Sequence, residues 1–226
     1  GEAVERLVRI ISGQCQNGGS VPFFSKDFNA GHEKAPKPEE FRSDDCEWFF
    51  NAVPCYVAET GNFDFYNKVV PYADGGEATV YGHLRRALEF NLERMGADGL
   101  PCGLLADWND CLKLGYHGES LFVAFQLRLG LTTYADISKR LGKDDEAKWA
   151  LEQRETLDAN IQKKCWDGKW FIWAIAEDGT VYGTQSIEEG QIYFNTQVWA
   201  VLSSAATAEQ ARICMESVKE KLATPY

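Results

Sequence analysis

Apolar residues recur at helical spacing from the start of the chain. Val4, Leu7, Val8, Ile10 and Ile11 share one face, which predicts a helix from Glu2 to about Cys15. Gln16-Asn17-Gly18-Gly19 breaks it. Residues 20–42 carry no period, and Pro36 and Pro38 oppose a continuous helix, so a long loop is expected there. A second helix is predicted to start at Ser43 as N-cap, with Asp44 and Asp45 in its first turn. It should continue through Trp48, Phe49, Val53 and Val57, be kinked or split at Pro54, and end at Gly61. Asp74-Gly75-Gly76 marks a turn. Val80, Leu84, Ala87, Leu88 and Leu92 then form the stripe of a helix from about Glu77 to Met95.

Gly96 to Gly118 has neither period. From Glu119 to about Leu141 the chain is apolar almost all round, which predicts a deeply buried helix. Asp144 or Asp145 should cap the next helix, running to about Cys165. Trp166 to Thr184 alternates around Glu177-Asp178-Gly179-Thr180 and reads as a β-hairpin. Two more helices are expected at about Asn195–Ser204 and Ala208–Leu222. The expected fold class is therefore all-α with a short β-hairpin: a bundle, a solenoid or an α/α barrel. The lack of a fixed-length repeat speaks against a regular solenoid.

Charge narrows the partners. The formal net charge is −11 over 226 residues, which opposes nucleic acid and anionic membranes. A free anion would need its own cluster of Arg, Lys, His or backbone N–H groups. Aromatic residues make up 13% of the chain, enough to serve either a core or flat surfaces on which sugar rings stack. The seven cysteines are scattered without zinc-type spacing, which fits reduced, mostly buried thiols in a cytoplasmic protein and no metal site. No apolar run reaches the roughly 18 residues of a membrane span, and the first residues lack signal-peptide character. A helix pattern already running at Val4 and a bland tail at Ala223-Thr224-Pro225-Tyr226 suggest a single domain over 1–226 that is an incomplete piece of a longer protein.

The unusual cluster is Ala106-Asp107-Trp108-Asn109-Asp110-Cys111, followed by Gly118, Glu119 and Ser120. Asp107 and Asp110 can be turn or cap residues. With an indole between them they also fit a sugar site, where a ring stacks on the substrate and a carboxyl beside it, partly desolvated, holds a proton for a leaving alkoxide. Glycosidases need two carboxylates, whereas phosphorolysis needs one, because phosphate is itself the nucleophile. Arg42-Ser43-Asp44-Asp45 with Trp48 is a second cluster, readable as a capped helix start or as part of a site. His83 and His117 read as structural or surface residues.

Several runs together resemble the cellobiose phosphorylases of glycoside hydrolase family ninety-four. They are Val70-Pro71-Tyr72-Ala73-Asp74-Gly75-Gly76-Glu77, Gly99-Leu100-Pro101-Cys102-Gly103-Leu104, the Asp-Trp-Asn-Asp run, Ser43-Asp44-Asp45 with Trp48, Gly118-Glu119-Ser120, and Ile192-Tyr193-Phe194-Asn195-Thr196-Gln197-Val198-Trp199. The resemblance implies an (α/α)6 barrel, of which this chain holds part, and inverting phosphorolysis of a β-linked glucose disaccharide or oligosaccharide. The products would be α-glucose 1-phosphate and glucose. Asp110 matches the family's general acid. Trp108 matches the ring lining the subsite of the transferred glucosyl unit. Asp107, Asn109, Asp44, Asp45, Trp48 and Glu119 are the other substrate-binding candidates. Inorganic phosphate is the co-substrate, no cofactor or metal is implied, and a homodimer is suggested. By the family's spacing, a sugar-binding Arg and Asp lie before Gly1 and the phosphate-binding residues after Tyr226. Phe41-Arg42-Ser43-Asp44 resembles the former pair only in appearance. Two other readings stand beside this one: the phosphorylase-like domain of a β-glucan synthase, and a catalytically silent sugar-binding helical module.

Overall fold

The computed structural model describes residues 1–21 and 26–224. Residues 22–25 of the expected 20–42 loop and the last two of the tail lie outside the described residues. Seven α-helices are present among the described residues. They are α1 (Glu2–Ile11), α2 (Phe49–Thr60), α3 (Val80–Leu92), α4 (Leu121–Arg140), α5 (Asp144–Lys164), α6 (Phe194–Leu202) and α7 (Ala208–Leu222).

Five short strands accompany them, so the structure is helical but not purely so. β1 (Val69–Pro71) and β2 (Glu77–Thr79) pair antiparallel, with Val70 opposite Ala78. β3 (Glu119–Ser120), β4 (Ala174–Ile175) and β5 (Val181–Tyr182) form a second antiparallel sheet in that order. The expected hairpin is β4–β5, closed by a turn in which Thr180 N–H donates to Asp178 Oδ1 at 2.9 Å.

Several boundaries differ from the sequence reading: α1 already ends at Ile11, and the N-cap of α5 is Lys143, with Asp144 and Asp145 inside its first turn. Glu77 belongs to strand β2 rather than to α3, because Thr79 caps α3: its hydroxyl accepts from Gly82 N–H at 3.1 Å. Glu119 likewise belongs to β3, and Ser120 caps α4. Ser43 is not a helix cap. Its hydroxyl donates to the Gly103 and Ala106 carbonyls at 3.2 and 3.4 Å, and α2 begins six residues later at Phe49. Pro54 lies inside α2 without dividing it.

The centre of the fold is α4. Its residues Leu121 to Leu127 are buried without interruption. It packs against α2, α3, α5 and α6. Each fully buried Leu or Phe on it contributes about 1.5–3 kcal/mol. Close packing demands Gly130 on this helix: a Cβ there would lie 2.9 Å from Glu47 Oε2, Leu88 Cδ2 and Phe50 Cδ2 alike. The N-terminal end of α4 is therefore a fixed platform, and the loop carrying the Asp-Trp-Asn-Asp run sits on it. Among the described residues no helix is long and apolar enough to cross a membrane.

Candidate functional site

Loop 103–118 is closed at its base by its own backbone. Gly103 N–H donates to Gly118 O at 2.6 Å, and Leu104 N–H to Tyr116 O at 3.3 Å. Gly118 has no room for a side chain: a Cβ would sit 2.4 Å from Leu114 O. Leu112 and Leu114 turn inward against Trp173 and Ala174. Within the loop two side chains make their own turns. Asp107 Oδ1 accepts from Asn109 N–H at 2.7 Å, and Asn109 Oδ1 accepts from Cys111 N–H at 3.1 Å.

Asp107 is buried and fastens the loop to the helix behind it. Its Oδ2 accepts from Ser120 Oγ at 2.7 Å, and the same Oγ accepts from Val123 N–H at 3.3 Å. Burial raises the Asp107 carboxyl above its ordinary value, while the bonds from Ser120 and Asn109 act the other way. Both its oxygens serve the loop's conformation.

Trp108 and Asp110 point outward. The Trp108 side chain is 62% exposed, and its ring centroid lies 6.3 Å from that of Phe122 on α4. Phe122 also meets Trp48 at 6.4 Å and Trp199 at 5.4 Å, and Trp48 and Trp199 lie edge to face at 5.6 Å. Three indoles from loop, turn and helix α6 thus gather around one phenyl ring. Of these rings Trp108 is the exposed one, Trp48 and Trp199 are half-buried, and Phe122 is buried beneath them.

The Asp110 carboxyl is 68% exposed and accepts a hydrogen bond from Arg42 Nε at 2.8 Å. The expected desolvation beside the Trp108 indole is not found, because the carboxyl stands in solvent next to a guanidinium instead. Arg42 is held in its charged form first by this bond, against the opposing effect of its own partial burial. Its backbone is bridged to Leu104 and Ala106 on either side. Leu105 N–H donates to Phe41 O at 3.2 Å, and Ser43 N–H to Ala106 O at 3.0 Å. Arg42 belongs to the second cluster of the sequence reading but not to its substrate-binding candidates. Its partner lies far along the chain, so no local spacing signals the contact.

Asp44, Asp45 and Trp48 lie next to this pair. Asp44 is buried, and its Oδ2 accepts from Trp48 Nε1 at 2.8 Å. Its Oδ1 and the Oδ2 of Asp45 are buried without a partner among the described residues. Burial pushes the Asp44 carboxyl up to about 6. Burial and then the Asp44 charge push Asp45 up to about 7. Behind them Glu47, fully buried and taking a 2.8 Å bond from Asn91 Nδ2, is pushed up to about 8 by desolvation. Asn91 Nδ2 also donates to Ser43 O at 3.0 Å, tying this segment to α3.

Glu119 is placed differently from the other candidates. Its buried side chain turns back to accept from the Asp98 and Leu100 N–H groups at 2.9 and 3.0 Å, and packs where a Gly96 Cβ would be. It shapes the 96–101 turn. The structure therefore brings Trp108, Asp110, Arg42, Asp44, Asp45 and Trp48 to one region, and uses Asp107, Asn109 and Glu119 to hold the backbone there. His83 is buried between Gln14 Oε1 at 2.6 Å and Val70 O at 2.9 Å, a structural residue. Among the described residues no cluster of three or more His, Cys, Asp or Glu side chains could hold a metal ion.

Comparisons with known proteins place this geometry in context. The family model for the glycosyl hydrolase 94 superfamily, catalytic domain, matches residues 2–226. An N,N'-diacetylchitobiose phosphorylase of Vibrio proteolyticus is 34% identical over 98% of this chain and 30% of its own length. The cyclic beta-(1,2)-glucan synthase NdvB of Rhizobium meliloti is 30% identical over 81% of this chain and 7% of its own length. The chain thus spans about a third or less of these relatives. In fold it is similar to a rhamnosidase from Klebsiella oxytoca, with a TM-score of 0.66 at 16% identity, over 97% of this chain and 37% of that one.

Proposed function

The chain belongs to the glycosyl hydrolase 94 superfamily, and on that premise we propose that it is part of an enzyme that cleaves a β-linked disaccharide with inorganic phosphate. One observation carries the reading. An exposed carboxyl, Asp110, stands beside an exposed indole, Trp108, on a loop whose every other polar side chain from 107 to 109 is spent on holding its shape. A loop so braced presents a proton donor and a stacking ring to solvent-borne sugar.

The step balances as follows. A phosphate oxygen forms a bond to the anomeric carbon from the face opposite the leaving group. The bond from that carbon to the glycosidic oxygen breaks, its electron pair going to the oxygen, which takes the proton of Asp110. The hydrogen carried in on hydrogenphosphate, acidified once the ester forms, returns through water to the Asp110 carboxylate. The configuration inverts, and no second carboxylate is needed. Trp108, with Trp48 and Trp199 behind it, would carry the face of the transferred sugar; Asp44 and Asp45 would lie at its hydroxyl groups. We read the chain as part of an (α/α)6 barrel, with the phosphate-binding groups supplied elsewhere in the protein.

For the sugar we favour a glucosyl unit, as in cellobiose. The likeness to a chitobiose phosphorylase makes an N-acetylglucosaminyl unit the competing choice. The likeness to a glucan synthase supports the reading of a phosphorylase-like domain within a larger polymer-forming enzyme. The test is release of sugar 1-phosphate from cellobiose and from diacetylchitobiose by the full-length protein, with and without phosphate. Phosphate-dependent product identifies the sugar. Free monosaccharide formed without phosphate would overturn phosphorolysis, and Asp110→Asn should abolish product from either disaccharide.

A further inference from the structure

We infer that Arg42 is a positioning residue for Asp110, holding one carboxyl oxygen so that the other is left to carry the proton to the leaving oxygen. The inference deepens the reading above and rests on its assignment of Asp110 as proton donor.

Asp110 needs an outside hold. Its side chain is 68% exposed, and a carboxyl free in solvent samples several rotamers. Proton delivery needs the donor oxygen within hydrogen-bond reach of the glycosidic oxygen in one orientation. Arg42 can supply that orientation. Its side chain is only 24% exposed, and its backbone is clamped between Leu104 and Ala106 of the same loop. The next residue, Ser43, is buried and bonded to Gly103, Ala106 and Asn91. The guanidinium is thus rooted in the fold, and its Nε donates to Asp110 Oδ1 at 2.8 Å. The carboxyl stays 68% exposed, within reach of a solvent-borne sugar.

The surrounding charges favour this pairing. Asp44 and Asp45 also face Arg42, and Asp107 lies close to Asp110. Burial pushes Asp44 and Asp45 up to about 6 and about 7, so near neutrality both still carry charge and add to the pull on the guanidinium, whose 2.8 Å hydrogen bond goes to Asp110. Arg42 also lies on the leaving-group side, because phosphate must approach from the face opposite the proton donor. It therefore acts through Asp110 rather than on the nucleophile.

The test compares two donors in the full-length protein: the disaccharide, whose leaving alkoxide needs a proton, and the matching β-glycosyl fluoride, whose fluoride ion leaves without one. We expect Arg42→Gln to lower kcat for phosphorolysis of the disaccharide about 10- to 100-fold, the usual cost of a misplaced catalytic group. Its rate with the fluoride should stay within about threefold of wild type, well inside the range that proton transfer spans. Arg42→Lys keeps the charge but not the planar fork, and should recover part of the disaccharide rate. Equal losses on both donors, in either variant, would mean that Arg42 only supports the fold and would overturn the inference. So would an unchanged disaccharide rate in Arg42→Gln. Asp110→Asn, measured alongside, separates the two claims: if it keeps the wild-type disaccharide rate, the proton-donor assignment itself falls. If it is inactive on the disaccharide while Arg42→Gln is not, only the role of Arg42 falls.

Discussion

Ser120 Oγ bonds to two partners at once, giving its proton to Asp107 Oδ2 at 2.7 Å and accepting from Val123 N–H at 3.3 Å. One hydroxyl both caps α4 and fastens the loop that bears Trp108 and Asp110. Ser120→Ala removes the cap, worth about 1 kcal/mol. It also leaves a buried carboxylate oxygen of Asp107 short of a donor, at about 1–3 kcal/mol. We expect a total loss of roughly 2–4 kcal/mol in a urea unfolding series. A loss under about 0.5 kcal/mol, the scale of an ordinary surface substitution, would show that the loop does not depend on this anchor.

Trp108 should behave in the opposite way. Its ring is largely in solvent, so Trp108→Ala should change stability by no more than about 1 kcal/mol. Substrate affinity should fall by about tenfold, equivalent to roughly 1.4 kcal/mol of lost contact. Saccharide titration of the full-length variant, read beside its unfolding midpoint, checks both halves. Lost stability with unchanged KM would make Trp108 a packing residue.

Stability should fall as pH rises through the neutral range. Glu47 releases its proton near 4.5 in the unfolded chain and at about 8 when folded, because burial disfavours the carboxylate. Between those values the folded state binds more protons than the unfolded one. The contribution is therefore fully present below about 4.5 and is lost as pH climbs through about 8. Asp44 and Asp45 add slopes of the same sign up to about 6 and about 7. Unfolding midpoints across this range should decline for the wild type and decline less for Glu47→Gln, which keeps an acceptor for Asn91 but cannot ionise. Parallel curves for the two proteins would refute the assignment to Glu47.

Gly130→Ala sets two effects against each other. Alanine favours a helix interior by about 1 kcal/mol over glycine. The new methyl would meet a carboxylate oxygen and two side-chain carbons at 2.9 Å, and such overpacking costs about 1–3 kcal/mol. Crowding from three sides should win, lowering the thermal midpoint by about 2–4 °C in a chain of this size. A raised midpoint would show that Glu47, Leu88 and Phe50 yield easily.

What the sequence disclosed follows the range of the interactions involved. Helix α4 was legible because the run from Leu121 to Leu127 is apolar almost throughout and is all buried, and α7 lies at Ala208–Leu222 as expected. The β4–β5 turn was legible from Asp178-Gly179, which is a local signal. Ser43 misled because its hydroxyl has good local use as a cap but a long-range use on Gly103 and Ala106. Glu77 misled because its strand exists only through pairing with Pro71. Within the site, the Asp-Trp-Asn-Asp run was visible, but which of its carboxyls faces outward was not. Asp107 and Asp110 differ only in what lies opposite them: a serine at the head of α4 and an arginine from another segment.

That last contact also bears on how the molecule is made. Arg42 and Asp110 stand 68 positions apart, with α2, β1, β2 and α3 between them. Closing so long a stretch costs chain entropy that a single exposed ion pair cannot repay. The two residues meet only after the intervening helices have docked, which places their contact late in folding rather than in its nucleus. An emerging or partly assembled chain can hold much of its helix content and still lack this pair. The Arg42–Asp110 contact therefore marks completed folding, and a probe placed on it would report native protein rather than mere compactness.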